Sequence, residues 1–356
     1  MRENRLKIRK LNIFLVILAL ACLLAAGGCG STSQIESTVD EVRKKLIGDN
    51  TLVVDSISED KYAYQTLNEE AKKVYDTIVY TIMNRESDVQ IATTDVKTME
   101  LAYQAVRYDY CEFFWVDQLN YVTYTRDNEI TAIGISPTYT MTESEQKKTQ
   151  EQIDQEVERI LAKAPADGSD FDRALYVYET LINEVDYVEN SENNQNIISV
   201  FINHETICQG YAYATQYLLE RLGIPCTTVT GNARGESHAW NLVQMDGEYY
   251  YIDTTWGNSQ YMYQNEQNGA VSGETGISKF PDYDYFGATT QTILKTHTPD
   301  SEIPLPDCTA VEDNYFIHQG LYVESWDVNR IGDMIGHAYD SGQAAVQINF
   351  SSVEMC

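Results

Sequence analysis

The sequence predicts an α+β protein whose helices and strands occupy separate stretches of the chain. Apolar residues recur at helical spacing, as in Leu67, Ala71, Val74, Tyr75, Ile78, Val79 and Ile82, the period of an amphipathic helix. Elsewhere aromatic and β-branched runs are broken by turn pairs such as Asp127-Asn128 and Asp246-Gly247, the pattern of strands joined by tight turns. The chain of 356 residues is long enough for two modest domains.

The first ten residues, MRENRLKIRK, are basic and lead into the unbroken apolar run Leu11–Ala26, then Gly27, Gly28 and Cys29. That order of parts is a secretory signal. The small residues before the cysteine resemble the lipobox of bacterial lipoproteins, which implies a signal peptide over 1–28 and lipid attachment at Cys29. An uncleaved single-pass anchor is the alternative, although the apolar core is short for a membrane span. Either way the remaining chain is expected on the extracellular face of the cell membrane, with 29–59 as a polar tether.

The formal net charge is −29, and the first 28 residues hold five of the 25 basic side chains, so the remainder is more acidic still. Such a charge repels phosphate backbones and excludes nucleic acid as a partner; it favours basic partners or plain solubility. The seven cysteines, Cys22, Cys29, Cys111, Cys208, Cys226, Cys308 and Cys356, contain no CxxC pair. With Cys22 in the signal and Cys29 acylated, an odd number is left, so at least one thiol is expected free.

Residues 60–142 read as a small α+β domain. The helix around Leu67–Ile82 is followed by one near Thr94–Tyr108, then by strands over Glu112–Val116, Tyr121–Tyr124 and, past Asp127-Asn128, Glu129–Ile135. Residues 143–168 form a linker: a polar helix from Glu143 to Ala164 with the narrow stripe Ile153, Val157, Ile160 and Leu161, closed by the loop Pro165–Gly168. A second domain is expected over 169–300. Ser169 with Asp172 resembles a capping box, ahead of an amphipathic helix carrying Phe171, Leu175, Tyr178, Leu181, Ile182 and Val185. Gln264–Ser278 is expected to be a long loop. Residues 301–356 read as an extension with a hairpin around Gln319-Gly320, a helix near Val328–Tyr339 and a strand over Ala344–Phe350, and no catalytic residue is expected in it.

Within the second domain, Tyr211, Thr215, Leu218, Leu219 and Leu222 share one helical face, with Gly223 as C-terminal cap and Pro225 as a stop. Cys208 therefore falls at a helix N-terminus, where unpaired N–H groups and the helix dipole favour a thiolate and could form part of an oxyanion hole. Asp246-Gly247 suits a two-residue hairpin turn. Met245 then pairs with Glu248, Trp240 with Asp253 and His238 with Thr255, which makes His238 and Asp253 diagonal neighbours on one face. The carboxylate can take one imidazole nitrogen and leave the other for a thiol, the parts of a Cys–His nucleophile.

Cys208-Gln209-Gly210-Tyr211-Ala212, Gly223-Ile224-Pro225-Cys226, His238-Ala239-Trp240-Asn241 and Tyr251-Ile252-Asp253-Thr254-Thr255-Trp256 together resemble the transglutaminase-like superfamily. Tyr285-Phe286 and Lys295-Thr296-His297-Thr298 further resemble its clostridial surface members. The resemblance implies a papain-like core in which a helix bearing the nucleophile packs on an antiparallel sheet. It implies a triad of Cys208, His238 and Asp253, attack on a peptide or protein amide, cell-wall peptide included, and water or an amine as acceptor. It also implies an aromatic oxyanion group upstream of the nucleophile, for which Tyr187 is the candidate. Gln209, Trp240 and Trp256 are the expected cleft residues, and no cofactor or metal is expected.

Blander readings stand beside these. Cys208 could be a buried structural thiol, or be silenced by a disulfide with Cys226; zinc held by Cys208, Cys226 and His238 lacks paired ligand spacing. His204 reads as a rim residue of the loop before the helix, and His297 as structural packing. A catalytically silent surface adaptor, binding peptide or wall glycan in the same cleft, is the alternative function.

Overall fold

The computed structural model describes residues 58–258, 280–343 and 345–351, together with 52, 54 and 56. The signal segment, Cys29, most of the tether and the loop expected over Gln264–Ser278 lie outside the described residues. Among the described residues no helix is long and apolar enough to cross a membrane.

After a short helix at Tyr62–Thr66, α1 (Glu69–Met83) is capped by the Asn68 side chain and α2 (Val96–Asp109) by that of Asp95, each accepting from first-turn N–H groups. The long strands β1 (Val116–Arg126) and β2 (Glu129–Tyr139) pair antiparallel, with Val89–Gln90 on the far side of β2. They turn at Asp127 and Asn128, both at positive φ, the mirror-image turn that the twist of a two-residue hairpin requires. The expected strand at Glu112–Val116 is not one. The chain there makes turns that tuck Phe114 and Trp115 into the core at 2% and 8% exposure, so aromatic content served burial rather than extension. Nor are Tyr121–Tyr124 a separate short strand; they are the middle of β1.

α3 (Glu143–Leu161) and α4 (Asp170–Glu184) each begin with a full capping box, Thr142 with Glu145 and Ser169 with Asp172. α5 (Cys208–Arg221) then lies against a five-stranded antiparallel sheet of β3 (Cys226–Ala233), β4 (Glu236–Met245), β5 (Glu248–Ile252), β6 (Phe286–Ala288) and β7 (His297–Pro299), in the order β7-β3-β4-β5-β6. Buried polar contacts fix helix to sheet. Asn241 Nδ2 donates to the Ala212 carbonyl at 2.9 Å, and the Thr228 hydroxyl donates to Gln216 Oε1 at 2.8 Å.

A second polar seam ties 60–142 to this sheet. The buried Asp109 carboxylate accepts from Ala63 N, Tyr64 N and the Tyr75 hydroxyl at 2.9–3.0 Å, and its backbone carbonyl accepts from Gln216 Nε2 at 3.2 Å. Burial pushes its carboxyl up to about 6, against the pull of those donors. Beside it Lys61 and Glu220 form an ion pair at 2.8 Å. By contacts, Val53–Cys356 is one compact unit.

The extension departs from expectation in its pairing. Gln319-Gly320 follows a short helix, Tyr315–His318, and Tyr322–Val323 pairs parallel, not antiparallel, with Asn349–Phe350 across α6 (Val328–Asp340). Parallel neighbours need a crossover element, which α6 supplies. The strand expected over Ala344–Phe350 shortens to its last two residues.

Candidate active site

Cys208 is the first residue of α5, and Ile207 before it offers no side-chain cap. The first-turn N–H groups thus receive no acceptor from the N-cap, the condition in which a helix start attracts negative charge. Gly210 allows this placement. A Cβ there would lie 1.9 Å from the Thr206 hydroxyl, which is itself bonded to Ser199 Oγ at 2.7 Å and to the Asn194 carbonyl at 3.1 Å. The pair of short strands Asp186–Tyr187 and Glu205–Thr206 can therefore run directly beneath the helix start. Among the described cysteines Cys208 is the one that is not buried; Cys111, Cys226 and Cys308 are buried, and all four are free. No disulfide joins Cys208 to Cys226.

His238 comes from β4 and Asp253 from the residue after β5. Asp246 (φ 48) and Gly247 (φ 93) form the two-residue turn, and the register runs from Met245 opposite Glu248 to Asn241 opposite Ile252. One step further brings Trp240 across from Asp253, and the diagonal closes: His238 Nε2 lies 2.8 Å from Asp253 Oδ2. The Cys208 side chain also acts on this imidazole and favours its protonated form, and Nδ1 is the ring nitrogen not bonded to Asp253.

Burial disfavours the charged imidazole, but the Asp253 carboxylate beside it prevails and holds the His238 pKa up to about 10. Conversely, although burial works against its ionisation, Asp253 is held well below the usual carboxylate range by His238 and by a second histidine.

That second histidine is His297. Its expected role as inert packing is corrected: His297 Nε2 donates to Asp253 Oδ2 at 3.0 Å, while its Nδ1 takes the Thr296 hydroxyl at 2.8 Å. The other carboxylate oxygen, Oδ1, accepts from the backbone N–H groups of Thr255 and Trp256, each at 3.0 Å. Asp253 is thus fully buried and takes four donors. β7 carries His297 to it by pairing His297 with Ala233 and Pro299 with Gly231. Gly231 is needed for that approach, since a Cβ would meet the Thr298 carbonyl at 2.2 Å.

The aromatic surround is Trp240, 6.0 Å from the His238 ring and near-parallel to it, and Trp256, 5.7 Å away. Both are buried, and neither indole N–H has a partner among the described residues; nor has Gln209 Nε2, next to the thiol. Tyr187, half-buried on its short strand, packs against Trp256 and Ala233. His204 is exposed, at φ 57, and stands at the end of the one-turn helix Ser199–Asn203. His238, Asp253 and His297 also bring three ligand atoms within 4.8 Å of one another. Two nitrogens and a carboxylate oxygen suit zinc, but here the imidazoles spend those same atoms on hydrogen bonds to one oxygen.

Residues 156–254 match the transglutaminase core family, described as the transglutaminase-like superfamily. The chain carries a transglutaminase-like domain. The matched stretch holds Cys208, His238 and Asp253 and ends before His297. Over 113 residues the domain is similar to the kyphoscoliosis peptidase of Mus musculus, at 28% identity, covering 28% of this chain and 15% of that protein. Over 66 residues it is 32% identical to the kyphoscoliosis peptidase of Homo sapiens, covering 15% of this chain and 10% of that one. The chain thus spans a small part of the length of these relatives. A solved structure described as a TGase aligns with a TM-score of 0.28 at 17% identity, over 45% of this chain and 48% of that one.

Proposed function

We propose that the transglutaminase-like domain is a thiol-dependent amide hydrolase or acyltransferase with Cys208 as nucleophile. The observation that carries this reading is one imidazole, His238, bonded on one side to a buried carboxylate and influenced by the half-exposed thiol at a helix start. The sulfur attacks the carbonyl of a peptide or protein amide, its proton held by His238. The developing oxyanion meets the uncapped N–H groups of α5. As the C–N bond breaks, His238 gives its proton to the leaving amine, and a thioester remains. Water or an amine then attacks the thioester, losing its proton to His238, and the sulfur departs as thiolate.

The deciding experiment is the pH dependence of Cys208 alkylation by iodoacetamide, read by mass spectrometry in wild type and His238→Ala. An unassisted thiol is almost wholly protonated at pH 6, so wild-type labelling at that pH is expected to be about tenfold faster than the variant's. The larger thiolate population is partly offset by the lower nucleophilicity of a paired sulfur. Equal, slow labelling in both proteins would leave the silent adaptor as the better account.

We further propose that the protein is held on the extracellular face of the membrane by lipid on Cys29, supported by the basic, apolar and small-residue order of its first 29 residues. Metabolic labelling with an alkyne fatty-acid analogue is expected to mark the wild type and not Cys29→Ala; an unlabelled wild type would sink the lipid anchor.

A further inference from the structure

Arg234 and Gly235 form the two-residue turn between β3 and β4, with φ 49 and 96. Glycine or asparagine takes the first of these positions readily, whereas a long side chain seldom does. The turn is pinned all the same: Arg234 N donates to the Thr296 carbonyl at 3.1 Å, and Gly235 N to Asn232 Oδ1 at 2.8 Å. The side chain so held places its guanidinium 4.8 Å over the Trp256 ring, the same indole that packs against His238 and, at 5.3 Å, against Tyr285.

Among the described residues this guanidinium has no carboxylate partner, in a chain with 54 acidic and 25 basic side chains. Beneath it lie buried polar atoms without partners, donors and acceptors both. Trp256 Nε1 and Gln209 Nε2 lack acceptors, and Asn241 Oδ1 and the Thr255 hydroxyl lack partners too, while the strongest acceptor present, Asp253, is already fully engaged. An exposed, unpaired cation beside a site whose own carboxylate is already engaged selects an anionic group on the ligand.

Resting on the thiol chemistry proposed above, we infer that Arg234 and Trp256 form a subsite for a carboxylate, and that the acyl donor is a peptide carrying a free carboxylate close to the scissile amide. The carboxylate accepts from the Arg234 fork, and the guanidinium stays stacked on the indole.

The test compares alkylation of Cys208 by iodoacetate, an anion, and by iodoacetamide, its neutral counterpart, in wild type, Arg234→Gln, Arg234→Glu and Arg234→Lys. The iodoacetate-to-iodoacetamide rate ratio is expected to fall about fivefold in Arg234→Gln, the size due to one partly screened charge. It should fall further in Arg234→Glu and recover most of its value in Arg234→Lys. The His238 imidazolium is common to all four proteins, so it cancels in the comparison. Fast iodoacetamide labelling with a ratio indifferent to residue 234 would overturn the subsite while leaving the nucleophile intact. Slow labelling by both reagents, insensitive to His238→Ala, would remove the nucleophile and the subsite with it.

Discussion

Asp253→Asn is expected to lower turnover of any amide substrate by a factor on the order of 10³ or more, the scale on which an orienting aspartate acts in a nucleophilic triad. The substitution keeps the volume but replaces one acceptor oxygen by an amide that donates. Either Oδ1 or Oδ2 must give way, and each already receives two N–H groups. If the amide turns toward the imidazoles, two donors lose their acceptor; if it turns the other way, the backbone of Thr255 and Trp256 does. Stability should fall with activity, by about 3 kcal/mol, the low end for breaking a buried ion pair, and the loss should depend on pH. Because the folded His238 pKa lies near 10, above the unfolded value of about 6.5, its share of stability is full below about pH 6.5 and is lost as pH rises through 10. The depressed Asp253 contributes above about pH 4 and loses its share as pH falls through its folded value. The gap in melting temperature between wild type and variant should therefore be widest between about pH 4 and 6.5. A gap independent of pH would mean that the carboxylate and imidazole are not paired in solution.

His297→Phe is expected to reduce turnover by about 10- to 100-fold, the range found when an outer partner of a metal-bound histidine is removed. Phenylalanine fills the place among Trp240, Trp256 and Tyr285, so packing is largely kept. What goes is the Nε2–H bond to Asp253 Oδ2, leaving that oxygen to His238 alone. Two consequences separate positioning from packing. The alkaline limb of the rate profile, which reports His238 losing its proton, should move upward because the carboxylate charge is no longer shared. His297→Gln, which can still donate, should recover part of the rate. A variant that merely melts earlier, with an unmoved limb and an undiminished rate, would reduce His297 to a packing residue.

Much of this site is legible in the sequence because it is local. Whether His238 and Asp253 share a face depends on the parity of the count from Asp246-Gly247, and a side-chain period of two makes that count decisive. The position of Cys208 follows from the apolar face of α5 and from Gly223, and the start of α4 from Ser169 and Asp172. His297 escapes because it reaches Asp253 from 44 residues away, along a three-residue strand whose place at the sheet edge no local pattern encodes. The sequence marks it only through the motif Lys295-Thr296-His297-Thr298, in which Thr296 supplies a hydroxyl able to fix an imidazole tautomer. Glu112–Trp115 reads as a strand yet makes turns, because aromatic side chains suit a strand and a buried corner equally well. The parallel pairing of Tyr322–Val323 with Asn349–Phe350 depends on strands of two residues, too short to show any period.

The seam around Asp109 bears on how this molecule can be taken apart. A fragment starting after residue 142 would keep Gln216, Glu220 and Thr227 but lose the carbonyl, ammonium and carboxylate that answer them. Opened to solvent, the back of α5 would carry a row of widowed polar groups on the very helix whose first residue is Cys208. The early part of the chain thus shields the polar back of the helix whose first residue carries the thiol.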